Sequence, residues 1–171
     1  MKCGGFLAAL LLLASSACKK SGENTSSVRL QVMEGLTLSQ SSLGAPSWTL
    51  KSRRAVLRED SMRANLTEPV MDFYKNGKAV SRVTALAGEI ETESHDVRLS
   101  SSVALDSFEE KSHLTTSELL YNSASGRFTT KADILVRRPE GVARGRGLEA
   151  KPDLSEIRIF NQSSTLSGTP R

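Results

Sequence analysis

Apolar residues in the second half of the chain fall into register every 29 residues: Ile90 with Leu119 and Leu148, Leu99 with Phe128 and Ile157, Leu105 with Ile134. A period in this range marks serial supersecondary units that bury their apolar faces only by stacking on their neighbours. The register joins residues of like character, not identical ones, so it specifies architecture. It implies a long, seam-like interior with little room for an enzyme pocket.

Parity identifies the units as strands. Val97, Leu99, Val103 and Leu105 alternate with Asp96, Arg98, Ser100, Ser102 and Asp106, and only Ser101 breaks the apolar set. Phe128, Thr130, Ala132, Ile134 and Val136 repeat the pattern against Thr129, Lys131, Asp133 and Arg137, interrupted by Leu135. A period of two belongs to a half-buried strand and excludes a helix. Trp48, Leu50 and Ser52 alternate in the same way, so Leu50 to Arg63 is read as strand. Turn signals punctuate these runs at Asn76-Gly77, Ser125-Gly126, Arg138-Pro139-Glu140-Gly141 and Lys151-Pro152-Asp153. Asn-Gly supplies the positive φ of a tight hairpin, and proline followed two residues later by glycine suits a reversing loop. The expectation is an all-β antiparallel fold of roughly eight to ten strands between Trp48 and Ser163.

The N-terminus carries a targeting signal. Met1-Lys2 is a basic start, Phe6 to Leu13 is apolar, and Ala14 to Ala17 is a small-residue run that ends at Cys18. The apolar run is too short for a bilayer core of about 30 Å, so residues 1–17 read as a signal peptide. Cysteine at that place resembles a bacterial lipobox, which implies cleavage before Cys18 and lipid attachment to it. Of the chain's two cysteines, Cys3 leaves with the signal, and an ordinary secretory cut would strand Cys18 as a lone thiol. Two or more acyl chains on Cys18 make a stable anchor where a single chain does not. Lys19 to Ser27 is polar and serine-rich, a tether, and the structure of 28–47 is left open because Gly35 and Gly44-Ala45-Pro46 interrupt its alternation. The domain reading is signal peptide 1–17, lipidated Cys18 and tether 18–34, β-domain 35–163, and disordered tail 164–171.

Residues for catalysis or metal binding are not assembled. The two histidines, His95 and His113, have no second ligand at a metal spacing, and neither a nucleophile elbow nor a phosphate-cradling loop is present. Glu89, Glu91 and Glu93 share a parity opposite Ile90, the pattern of a solvated strand face. The reading is a protein with no catalytic residue, metal site or cofactor. A net charge of +4 is spread along an exported chain with 5% aromatics, which argues against nucleic acid. Arg53-Arg54, Arg137-Arg138, Arg144 and Arg146 are either a solubilising exterior or contacts for anionic phosphate groups at a membrane.

Several ordered motifs carry a resemblance. Trp48-Thr49-Leu50-Lys51-Ser52, Leu66-Thr67-Glu68-Pro69 leading to Phe73-Tyr74-Lys75-Asn76-Gly77, and Ala85-Leu86-Ala87-Gly88 before Val97-Arg98-Leu99 and Val103 are followed by Leu114 to Asn122 and Gly145-Arg146-Gly147-Leu148. From about Gly35 to Asn161 the chain resembles the LptC family, the periplasmic component of lipopolysaccharide export. The resemblance implies an open antiparallel β-jellyroll (a β-taco, LptA/LptC-like). It also implies a conduit for lipopolysaccharide, with lipid A acyl chains taken from an inner-membrane ABC transporter and passed to a periplasmic LptA-like bridge protein. Under that reading Leu99, Val103, Leu105, Leu119, Tyr121, Phe128, Ile134, Val136 and Ile157 line an apolar slot left uncovered along its length. The last strand, with Ile157, Ile159 and Asn161, is the edge that docks the bridge protein. Better-known members hold to the inner membrane by an uncleaved helix, where this chain has Cys18; Lys19 after that cysteine points, under the enterobacterial sorting rule, to the outer membrane, but the resemblance outweighs that rule and the expectation is a periplasmic lipoprotein anchored at the inner membrane. The alternative is an envelope lipoprotein whose closed β-sandwich binds a protein or packs a scaffold.

Overall fold

The computed structural model describes residues 29–42 and 44–166, so the signal peptide, Cys18, Lys19 and the last five residues lie outside the described residues. Twelve strands make one antiparallel sheet: β1 (Leu30–Ser42), β2 (Ala45–Arg58), β3 (Arg63–Thr67), β4 (Val70–Lys75), β5 (Lys78–Thr84), β6 (Ala87–Glu91), β7 (Val97–Ser107), β8 (Ser112–Asn122), β9 (Arg127–Arg138), β10 (Gly141–Ala150), β11 (Ile157–Ile159) and β12 (Ser163–Leu166). Strand structure therefore spans Leu30 to Leu166, wider at both ends than the 35–163 read from the sequence.

Three pairs of short strands are broken halves of longer rungs. β3 and β4 both pair with β2, along Arg54–Arg58 and Trp48–Lys51 respectively. In the same way β5 and β6 share β7, and β11 and β12 share β10. Counted as rungs, the sheet follows chain order as a meander from β1 to β11/β12. The hairpin predicted at Asn76-Gly77 is present, with φ of 53° and 75° between paired Lys75 and Lys78.

The breaks align into a crease that crosses the sheet. It runs through Gly35 (φ 75°), Ser52, Glu68 (φ 51°) with Pro69, Ala85-Leu86, Ser101 and Ser102 (φ 64° and 57°), the irregular pairing between Thr116 and Leu120, and Gly147 (φ 84°). Each bulge or left-handed residue bends its strand and interrupts the ladder. Side-chain hydroxyls fill some of the gaps: Ser52 Oγ lies 2.7 Å from Arg54 O and 2.8 Å from Thr67 O, and Thr116 Oγ1 donates to Asp133 O at 2.9 Å. The bend costs little hydrogen bonding as a result.

Folding along this crease produces two leaves. One holds Ala45–Lys51 of β2, β4, β5 and the turn-ward halves of β7 to β10 that include Leu105, Leu114, Ile134 and Ala143; the other holds β3, β6, β11 and the halves that include Leu99, Tyr121, Phe128 and Leu148. Contacts between them prove the doubling. Phe73 aligns through Ser81 and Ser107 with Ser112 of β8, yet its ring sits 5.1 Å from that of Tyr121, nine residues further along. In a flat sheet those positions would be separated by about 30 Å at 3.3 Å per residue. The core lies between the leaves, with Trp48, Leu50, Met71, Val83, Ile90, Leu99, Leu105, Leu119, Phe128 and Leu148 all buried.

The 29-residue register now has a physical meaning. One period is one rung out and one rung back, so Ile90, Leu119 and Leu148 recur on alternate rungs, as do Leu99, Phe128 and Ile157. Ser101, the exception to the parity of β7, is the crease residue itself.

Candidate functional site

The apolar interior between the leaves gathers all nine residues assigned to a slot. Leu99, Val103, Leu105, Leu119, Tyr121, Phe128, Ile134 and Val136 are at most 5% exposed, while Ile157 is only partly buried. The gutter is thus not uncovered along its length, as the sequence suggested: side chains from facing leaves meet and exclude solvent through its middle. Trp48, Leu50, Met71, Phe73, Val83, Ile90, Val97, Leu114 and Leu148 belong to the same interior and were left out of the assignment. For Trp48 and Leu50 the signal is the alternation Trp48-Leu50-Ser52; the slot assigned from a common face covers only the rungs from Leu99 onward.

Aromatic rings close the side opposite the crease, where the hairpin turns lie. Trp48 packs edge-on against Tyr121 at 6.3 Å and His95 at 6.4 Å, and Phe128 stands 5.3 Å from both Phe73 and Tyr121. Edge-to-face pairs of this kind add about 0.5–1.5 kcal/mol each beyond the area they bury. Burial, with a smaller push from Asp96, raises the Tyr121 phenol above its ordinary value, so it remains neutral. Polar bridges reinforce the closure: Ser123 Oγ donates to Gln40 at 3.1 Å, Ser107 Oγ donates to Asp153 O at 2.6 Å, and Lys75 lies 3.8 Å from Asp153. A cleft of about 350 Å³ remains in this mouth, lined by Phe73, Val80, Tyr121, Gly126 and Pro152 among others.

Both ends of the interior are less covered. At the β1 end the inward-facing Met33, Leu36 and Leu38 are only partly buried. At the opposite end Val136, Val142, Ala143, Ile157 and Ile159 line a recess of about 240 Å³ rimmed by Arg138, Glu140 and Gln162. Among the described residues β11 pairs there with β10 only, and Phe160 exchanges bonds with Gly147 and Arg146. Antiparallel bonds alternate along a strand, so the N–H and C=O of Ile157 and Ile159 face the free edge. Asn161 is exposed in the bend between β11 and β12, with φ 44°. Gly145 permits the close approach of β11, because a Cβ there would sit 2.4 Å from Ile159 Cγ2 and 2.9 Å from Phe160 O.

Charged residues lie outside this interior. Glu89 and Glu91 pair with Arg63 on the outer face, Arg53 with Glu68, Arg54 with Glu34, and His113 with Asp106. Such exposed pairs contribute at most about 1 kcal/mol each. Asp72, 6% exposed, accepts from Arg82 Nε at 2.7 Å and Nη2 at 3.2 Å, which in turn raises the arginine's pKa through that hydrogen bond and charge. Among the described residues there is no group of three metal-binding side chains, and no helix is long and apolar enough to cross a membrane.

A family model described as lipopolysaccharide-assembly, LptC-related, matches residues 5–167. No curated protein matches the chain.

Proposed function

The chain belongs to the LptC-related family of lipopolysaccharide assembly, a non-enzymatic component of lipopolysaccharide transport at the periplasmic side of the inner membrane, and from that premise we propose that it is a conduit loaded and emptied through the ends of its folded sheet. In this reading lipid A acyl chains arrive from the inner-membrane ABC transporter at the β1 end, pass between the leaves, and leave at the β11 end for an LptA-like bridge protein docked on Ile157, Ile159 and Asn161. Cys18 carries the lipid anchor. Inner-membrane anchorage follows from the family, against the outer-membrane preference that Lys19 suggests.

The observation that carries the proposal is one apolar interior, continuous between two incompletely covered ends. An acyl chain of about twelve carbons gains on the order of 10 kcal/mol when fully buried, at roughly 0.8 kcal/mol per CH₂. Here it enters by parting leaves that already pack against each other, so part of that gain is offset by lost Phe73, Tyr121 and Phe128 contacts. Net affinity stays low, and a carrier that must release its cargo needs that. The packed middle also suits the rival reading, a closed sandwich that only binds protein.

Purified protein titrated with lipopolysaccharide separates the two, with Ile157→Asp as the control because that residue is not in the sealed middle. Saturable binding that Ile157→Asp weakens supports the conduit. Absence of binding by a folded, correctly processed protein leaves the sandwich.

A further inference from the structure

The Lys151–Glu156 loop joins β10 to β11 at the mouth, and one of its side chains is buried as deeply as any in the core. Leu154 is 1% exposed although it belongs to no strand. Its φ is 59°, a left-handed conformation unfavourable for a branched, bulky side chain. The loop is fixed at its two ends to its own leaf: Lys151 N–H donates to Glu156 O at 3.0 Å, and the Glu156 carboxylate is held by Lys151 Nζ and, at 2.9 Å, by Arg127. Its middle is fixed to the other leaf, through the Ser107 hydroxyl on Asp153 O and the Lys75 ammonium near the Asp153 carboxylate. Pro152 and Asp153 form one wall of the mouth cleft, directly beside Phe73, Val80 and Tyr121.

We propose that this loop is a latch: it keeps Leu154 in a place between the leaves that an acyl chain takes, and lipid entry displaces it. Strand pairing does not hold the loop middle to the other leaf; two polar contacts and one apolar side chain do, while the Leu154 N–H on Lys151 O at 3.0 Å and the Ser155 bonds to Asp153 are internal to the loop. Such a segment opens locally at far lower cost than the surrounding sheet. Displacement relieves the backbone strain at Leu154 and frees the leaf that carries Ser107 and Lys75 to move away. Lys151 and Glu156 remain as the posts about which the loop turns.

The proposal rests on the conduit reading, so its test uses a probe independent of lipopolysaccharide. Uptake of the apolar dye N-phenyl-1-naphthylamine by the full processed chain is followed by dye emission and by quenching of Trp48, the single tryptophan. Ser107→Ala removes the cross-leaf donor without creating a large cavity, and Leu154→Gly removes the plug along with its strain. Each variant should take up dye about tenfold faster than the parent chain, as expected when one buried hydrogen bond or anchor no longer holds the closed form. Equal rates for the parent and a folded Ser107→Ala overturn the latch, whatever Leu154→Gly does. Faster uptake by the variants supports it even if neither parent nor variants bind lipopolysaccharide, a result that would reject the conduit alone.

Discussion

Leu99, Phe128 and Ile157 occupy equivalent places on alternate rungs of the same leaf, yet the first two are sealed and the third is partly open. Residue character does not explain the contrast, since all three are large and apolar. Position does: Leu99 and Phe128 have a rung on either side and an opposing leaf above them, whereas β11 has β10 on one side and a free edge on the other. The interior is open where the meander ends. Under the proposed conduit reading, an uncovered terminal rung is the place where the next interior can be joined, and an edge with outward-facing N–H and C=O groups supplies the means.

Charge placed in the two regions breaks the comparison most sharply. Leu119→Asp buries a carboxylate in the dry middle, at a cost of several kcal/mol, and should abolish the cooperative urea transition. Ile157→Asp should retain that transition and lose lipid binding. If both variants unfold alike, the ends are no more open than the centre.

Truncation gives a milder version of the same contrast. Leu99→Ala should cost about 2–5 kcal/mol, because neighbours on every side cannot collapse into the cavity, and Ile157→Ala about 1 kcal/mol. Denaturant midpoints read the difference.

Edge chemistry comes next. Proline at Ile159 removes an N–H that faces outward, so the fold should survive while co-purification with an LptA-like partner falls. Unchanged co-purification would place the docking edge elsewhere. Gly145→Ala, by contrast, forces β11 away from β10 and should weaken the fold and the docking together.

The smallest effect concerns the latch. Burial alone would raise the Asp153 carboxyl, but the Ser155 hydroxyl and N–H, followed by Lys75 and Lys151, outweigh it and hold the group below its ordinary value. A depressed carboxyl contributes stability that is fully present above the unfolded value, about 3.9, and is lost as pH falls through the lower folded one. Dye uptake should therefore stay flat from neutral pH down to the ordinary aspartate range and accelerate only below it.

Much of the fold was legible from parity and turn chemistry. Odd residues of β7 and even residues of β9 point inward as their alternation requires, and Asn76-Gly77 turns where its positive φ is needed. The crease was not legible. Of its left-handed residues only Gly35 and Gly147 announce themselves; Glu68, Ser101 and Ser102 adopt that conformation because the neighbouring rungs bend at the same level. β1 was obscured for a related reason, since Gly35 breaks its alternation at the crease while Leu30 and Val32 lie on the outer face. Leu154 reads as a loop residue within Lys-Pro-Asp-Leu, and only the approach of the opposite leaf buries it. Sealing of the slot likewise depends on contacts between Trp48 or Phe73 and Tyr121, distant in sequence and on opposite leaves.

Site-specific photo-crosslinking in cells that export lipopolysaccharide tests the central claim most directly, with the probe at Leu99, Phe128 and Ile157 in turn and at outward-facing Arg98, Ser102 and Asp133. The account predicts capture of lipopolysaccharide from all three inward positions, strongest at Ile157 where the interior is already open, and none from the outward set. Capture from both sets alike, or from the outward set alone, would contradict it.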